Sequence, residues 1–398
     1  MRLPWSSGEP ALPATFWWLF SGQLVNALAS FVFPFMALFL RDRGFSTAQA
    51  GLTVSAFGAG TLLAAPLAGT LTDRLGRRPT MLGALLASGA AAALLPALPT
   101  AAIAPGLAVL GFVSHAYRPA AAAAVADVVP PAQVARAYGH LYWANNLGFG
   151  VSLLLGGSLV FLGFGPLFLA DAATTLLFAA LVWRRVPETR PATSGRGGLE
   201  EAGYRAVLGD GVFLGFLGLQ ICAVVVIFQF MVAVPIDLVS RGVSAAAYGR
   251  IMAVNGLLIA LLQPAASRLF AARDPSRVLA AGALLLGAGF GSYPFCTSGW
   301  GFAAATAVWT LGEILTFPTA AALVANLSPP ELRGRYQGAY SLSFGASMLA
   351  SPILGSLALE RLGSRGLWLS CAAVAAAVAG ANLAAAPGRR QRTAIRPA

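Results

Sequence analysis

Runs of about twenty apolar residues, each bounded by a charge, a proline or a glycine, recur from Phe16 almost to the end of the chain. A helix of that length matches the roughly 30 Å hydrocarbon core of a bilayer. Twelve such runs are read as membrane spans, at 16–40, 49–71, 79–98, 102–126, 139–161, 166–183, 211–236, 246–266, 278–296, 300–325, 337–359 and 366–386. With 58% of the residues hydrophobic and 10% charged, too few polar groups remain to cover a soluble globule. The expected fold class is an all-α polytopic membrane protein. The opening "MRLPWSSGEPALPATFWWLF" leads into an apolar run too long for a signal peptide, with no small-residue cleavage site after it, so it is read as a retained first span.

The charge is carried by a single cation. All 26 basic residues are Arg, which excludes a phosphate-binding loop of the GxxxxGK[ST] type and argues against ATP coupling within the chain. A net charge of +12 invites a nucleic-acid reading, but the arginines are scattered over short loops, so no nucleic-acid partner is expected. Topology explains them: with the N-terminus inside, inner segments hold 19 arginines and outer segments six, with Arg118 left within a span. The bias places both termini in the cytoplasm of a cell whose inner, plasma membrane holds the protein. Cys222, Cys296 and Cys371 lie in apolar runs without CxxC spacing, so neither disulfides nor a zinc site is implied, and no metal or cofactor is expected.

The chain repeats itself. "RPAAAAAVADVVPPAQVARAYG" (118–139) matches "FPTAAALVANLSPPELRGRYQG" (317–338) at an offset of 199, and "RGFSTAQAG" (43–51) matches "RGVSAAAYG" (241–249) at 198. The expected organisation is a six-helix bundle over 1–186, a cytoplasmic linker over 187–210 rich in Gly, Pro and charge, and a second six-helix bundle with a basic tail over 211–398. Parallel repeats of this kind, related by pseudo-two-fold symmetry about the membrane normal, build transporters with a site at mid-membrane between the halves.

Between the second and third runs stands "GTLTDRLGRR" (69–78). It resembles the signature of the major facilitator superfamily, and the resemblance extends over the whole chain through the twelve spans, the repeat, the linker and "ADVVPP" after span 4. "YRPAAAAAVAD", "LGEILTFP" and "PPELRGRYQG" are similar to bacterial drug/proton antiporters of the twelve-span type. The chain departs from them in span 5, where "GFGVSLLLGG" has Ser152 and Leu153 in place of a Gly-Pro pair, and in span 4, where Leu107 replaces an arginine. The resemblance implies a conformational latch of Gly69, Asp73, Arg74, Gly76, Arg77, Arg78, Asp127 and Arg136. In it Asp73 caps a helix of the other half, Arg77 pairs with Asp127, and the cluster forms only when the cytoplasmic side is shut.

Three ionisable residues inside spans are candidates for proton coupling or substrate binding. Glu313 falls halfway along span 10, where a carboxylate costs on the order of 3 kcal/mol and should face a cavity or a partner. Asp171 in span 6 is read as either a local cap or a coupling group. Arg118, beside His115 and Tyr117, either binds an anionic group, neutralises an acid across the bundle, or snorkels to the inner surface. Gln23, Asn26, His115, Tyr117, Trp143, Asn145, Gln220, Gln229, Asn255 and Trp309 are candidate cavity-lining residues, with helix-to-helix packing the alternative for each. The expected function is secondary active transport, with proton-coupled efflux of small amphipathic or cationic compounds ahead of transport of one specific metabolite, and a non-transporting sensor as the remote alternative. An ion gradient, expected to be of protons, supplies the energy. The bilayer and a small-molecule substrate are the only expected partners, and a monomer is the expected state.

Overall fold

The computed structural model describes residues 11–130, 133–190, 205, 207–270, 273–329 and 332–394, so 191–204 and 206 of the linker and one proline of each repeated Pro-Pro pair lie outside it. The described residues contain helices and no strands. Ten helices are long and apolar enough to cross a membrane, or eleven with the pair Thr47–Ala64 and Pro66–Leu75, bent by 43°. One of them, Arg335–Ala384, is two spans joined at Gly363, whose φ of 67° breaks the helix. The twelve spans are thereby accounted for.

Span 1 comprises two segments, Ala14–Leu28 and Val32–Asp42. Spans 2 to 6 are Thr47–Leu75, Arg77–Leu94, Thr100–Val128, Val134–Leu159 and Phe164–Arg185. Span 7 is again two segments, Gly211–Ile227 and Ala233–Ser240. Spans 8, 9 and 10 are Ala245–Phe270, Pro275–Ser292 and Gly299–Leu327. Spans 11 and 12 flank Gly363, and a short helix, Ala386–Ala394, follows.

The interruptions have a local cause. Pro34 has no N–H to offer the carbonyl of Ser30, and Pro235 none for that of Met231, so each run breaks about one turn before its proline. Hydropathy alone takes both runs as single spans. The repeat is visible in the turns as well: Gly44 and Gly242, in the matched "RG" dipeptides, take φ of 84° and 82°, a conformation only glycine adopts without strain. Polar side chains start the helices, with Ser46 and Gln49 forming a reciprocal cap and Asp210, Asp274 and Ser298 each accepting a bond from the first turn that follows.

In the first bundle span 4 packs on spans 2 and 3, and span 6 on spans 1 and 3. In the second, span 9 packs on spans 10 and 12 and span 8 on span 10. Between bundles, span 5 meets span 8 and span 2 meets span 11. We call the side bearing Arg77, Glu188 and Asp210 the linker face and the opposite side the far face.

Both seams close toward the far face. Gly51 and Gly58 of span 2 lie against Pro352, Ser356 and Met348 of span 11, and Gly157 of span 5 meets Gly249 of span 8. Tyr248 donates to the carbonyl of Pro34 across the bundles at 3.2 Å, and Phe230 packs edge-on against Phe33 and Phe149. On the linker halves of the same spans Leu67, Leu71, Tyr138 and Leu342 are exposed. The contacts that join the bundles thus run from mid-span to the far face, and that face is sealed.

Candidate functional site

A cavity of about 280 Å3 lies between the bundles. Each bundle supplies polar groups to it from the middle of a span. Span 1 contributes Gln23, Asn26 and Ser30 around its break, span 4 His115, Tyr117 and Arg118, span 5 Asn145 and Asn146, and span 6 Asp171 and Thr175. The second bundle contributes Asn255 and Glu313 together with Phe228, Phe230 and Met348. Polar groups gather here because a buried amide or carboxylate in lipid needs a partner or water.

Glu313 has such a partner. The amide of Asn255 on span 8 donates to its Oε2 at 2.7 Å and lies 3.1 Å from the Thr310 hydroxyl, one turn earlier on span 10. Its other carboxylate oxygen has no protein donor among the described residues, which leaves it open to a proton or a cation from the cavity. Across the cavity, Asp171 accepts the backbone N–H of Val32 at 2.9 Å, and Asn26 accepts from the Thr175 hydroxyl at 2.7 Å. The ring Nδ1 of His115 lies 3.3 Å from Thr61 Oγ1 and 3.2 Å from the carbonyl of Gly111. Arg118 is exposed to the cavity and makes no ion pair among the described residues.

Four residues expected on the lining lie elsewhere. Trp309 is fully buried in the second bundle, stacked on Phe290 at 5.0 Å with its Nε1 donating to the Tyr293 hydroxyl at 3.1 Å. Gln220 faces a small gap among spans 7, 9 and 12. Gln229 is buried at the break in span 7, where its amide donates to Val225 O and Ser351 Oγ, both at 3.1 Å. Trp143, half-buried on span 5, is not among the lining residues. Large aromatics and interior amides satisfy helix packing as well as they satisfy a cavity, and spacing alone does not separate the two.

The charges of "GTLTDRLGRR" assemble at the linker face, within the first bundle. Arg77 is nearly buried, with Nε 3.0 Å from Asp127 and Nη1 3.7 Å from Asp73. The carboxylate of Glu188, just past span 6, accepts the backbone N–H groups of Arg77 at 2.9 Å and Arg78 at 3.1 Å, and so caps span 3. It also accepts from Thr189 N and Arg190 N, while Thr189 Oγ1 donates to Asp127 and Arg190 to the carbonyl of Arg74. Partial burial opposes ionisation of Glu188, but the four backbone donors outweigh it and hold its carboxyl below the ordinary 4.5.

Two expectations for this cluster are corrected. The Arg77–Asp127 pair forms within the first bundle alone, so it needs no closure of one bundle on the other. Among the described residues Asp73 caps no helix of the other half: its side chain is 74% exposed and its partner is Arg77, at the start of the next span of its own bundle. Gly76 is demanded twice, by a φ of 110° and by Glu188, whose carboxylate would lie 2.5 Å from an added Cβ. Nothing lies near a Cβ at Gly69. Arg78 donates to the carbonyl of Trp183, and the carbonyl of Arg136 lies 2.7 Å from His140 Nδ1. Glu188 itself escaped the sequence reading, although "PETR" directly after a span carries the signal: an acid placed to reach a helix start.

Two six-helix bundles that share a polar central cavity, sealed on one side, define a membrane transporter. The family model of the Major Facilitator Superfamily matches residues 19–239 and 217–394, and the chain belongs to that superfamily as a secondary transporter and not an enzyme. It is 27% identical to a Na(+), Li(+), K(+)/H(+) antiporter of Planococcus maritimus, over 81% of this chain and 84% of that one. It is 26% identical to the uncharacterized MFS-type transporter YttB of Bacillus subtilis (strain 168), over 88% and 89%. Among solved structures it resembles a POT family transporter in complex with 5-aminolevulinic acid, with a TM-score of 0.80, 16% identity and coverage of 95% and 97%. A mutant of the nucleoside transporter NupG gives 0.79, 13%, 93% and 99%. At such identities the structures speak for the fold alone.

Proposed function

We propose that the chain exports small cationic compounds in exchange for protons, working by alternating access across the inner membrane with the linker face and both termini in the cytoplasm. The observation that carries this reading is Glu313, a carboxylate at mid-span with one oxygen held by Asn255 and the other open to the cavity. A site built this way holds either a proton or a cation, and mutual exclusion of the two is what antiport requires. Phe228, Phe230 and Met348 supply an apolar wall that suits an amphipathic organic cation, and Asn26, Asn145 and Asn146 supply neutral oxygens that suit a bare one. The activity named for the Planococcus relative agrees with a cation as cargo. The excess of arginine on the linker face supports the orientation.

The test uses everted vesicles with an acidic interior, comparing the wild type with Glu313→Gln for accumulation of ethidium and of sodium, with and without a protonophore. Gradient-dependent accumulation that falls at least about tenfold in the variant supports the reading. A second reading rests on Arg118: a cation in the cavity without an ion pair among the described residues favours a solute carrying a carboxylate, hence a transporter of one specific metabolite. If ethidium and sodium both fail while carboxylate-bearing solutes raise the melting temperature, and Arg118→Gln abolishes that rise, the second reading replaces the first.

A further inference from the structure

The break in span 1 sets the segment Val32–Asp42 apart as a separate helix in the far-face seal, beside the seams of spans 2 and 5. Pro34 offers its carbonyl to Tyr248 of the other bundle, Phe35 meets the same ring at 5.9 Å, and Phe33 packs on Phe230. This segment begins with Val32, whose N–H is freed by the break and donates to Asp171. Asp171 in turn lines the central cavity beside Val32 and Thr175. One carboxylate thus touches both the space that receives the solute and the start of the helix that shuts the far side.

The repeat shows that this contact is not required by the architecture. Span 7 breaks in the same place, yet the residue equivalent to Asp171 is Ser370, whose hydroxyl donates to Gly366 of its own helix at 2.7 Å. Asp237, the acid nearest the second break, is turned to Arg241 and to Trp368 Nε1. A broken span therefore stands without an acid at its break, and the acid in the first bundle is an addition.

We infer that Asp171 is the positioning residue that reports loading of the cavity to the far-face gate. As a charged carboxylate it holds the N-terminus of Val32–Asp42, where the helix dipole and the free N–H both favour an anion, and the empty carrier stays sealed. A proton or a cation arriving at the carboxylate cancels the charge, weakens the bond to Val32 and frees the segment to swing. Loaded carriers cross in either direction and empty ones do not, which is the rule that prevents slippage in an exchanger. The ionisable groups that share the cavity with Asp171 are His115, Tyr117 and Arg118 of span 4 and Glu313 of span 10; spans 1 and 3, packed directly against it, add none to the lining. The inference rests on proton-coupled export as the activity.

The test places nitroxide labels at Thr47→Cys and Ser240→Cys, which lie on different bundles and line the same far-face hollow, in protein whose three native cysteines are replaced by alanine. Pulsed spin-label distances are measured in lipid nanodiscs at pH 8 and pH 5, with protons as the only ligand. The wild type should show a short far-face distance at pH 8 and a longer population at pH 5. Asp171→Asn, which keeps an acceptor but no charge, should show the longer population at both values, at least about threefold above wild type at pH 8, and Asp171→Glu should restore the pH response. A far face that follows pH unchanged in Asp171→Asn, or that ignores pH in the wild type, overturns the inference. Ethidium and sodium flux in the same preparations separates the two readings: loss of coupled flux with an intact Asp171-dependent distance change sinks the export reading alone.

Discussion

At the scale of single residues, Arg77 and Glu188 show how a charge cluster at a membrane edge is held. Arg77 is the hub, with its guanidinium against Asp127 and Asp73 and its backbone N–H on Glu188. Glu188 has a carboxyl held below its ordinary 4.5, so its contribution to stability is fully present above that pH and drains away as pH falls through the lower folded-state value. Glu188→Gln should lower the melting temperature in detergent by about 2 °C at pH 7, a small shift because the group is exposed and screened. The difference from wild type should shrink as the pH is taken below 4.5; a gap that persists undiminished at pH 3 would mean that the charge of Glu188 is not what stabilises the cap. The Arg77–Asp127 pair was legible in the sequence because the family resemblance covers both members, Arg77 in "GTLTDRLGRR" and Asp127 in "ADVVPP". Glu188 was not, because its role depends on the end of span 6 returning to the start of span 3, a contact between residues more than a hundred positions apart.

At the scale of elements, twelve hydrophobic runs were readable because lipid leaves a helix few alternatives, and the runs set their own lengths. What hydropathy does not reveal is a helix that breaks while staying apolar. Spans 1 and 7 read as uninterrupted, yet both divide about one turn before a proline, at Pro34 and Pro235. Prolines elsewhere, at Pro105, Pro119, Pro264 and Pro318, sit inside helices that continue. At Pro34 the backbone around the break is met by Asp171, on the N–H of Val32, and by Tyr248, on the proline carbonyl, both from distant parts of the chain. Pro34→Ala restores an N–H that reaches the carbonyl of Ser30 and lets span 1 run on. It should raise the melting temperature by about 3 °C while slowing transport by about tenfold, since a proline in a helix interior costs on the order of 3 kcal/mol and part of that is recovered. Hydrogen exchange across Ala29–Phe35 alongside the flux measurement checks this, and unchanged exchange with unchanged flux would place the cause of the break outside Pro34.

At the scale of the whole molecule, the two bundles meet along seams built from glycine. Gly256 of span 8 lies so close to span 5 that an added Cβ would stand 2.5 Å from Gly150 N and 2.7 Å from the carbonyl of Asn146. These are backbone atoms of a packed helix and have no room to retreat, so a side chain here moves the bundles and not a neighbouring rotamer. The seam runs from the level of the cavity, which Asn146 and Asn255 line, to Gly157 and Gly249 at the far face. The conformation sealed at the far face is therefore the one a bulky residue excludes, and the partner state, parted at the far face, is the one it leaves populated. Gly256→Leu should shift the molecule to that state and cut transport by more than tenfold, while Gly83→Leu, on span 3 with nothing within 4 Å of its Cβ, should do neither. Spin labels at Thr47 and Ser240 read the shift as a longer far-face distance, now independent of pH because the seam fails before the Asp171 contact can act. A Gly256→Leu protein that keeps the short distance and normal flux would mean that spans 5 and 8 do not carry the pivot between the two states, and the axis of motion would have to be sought along spans 2 and 11.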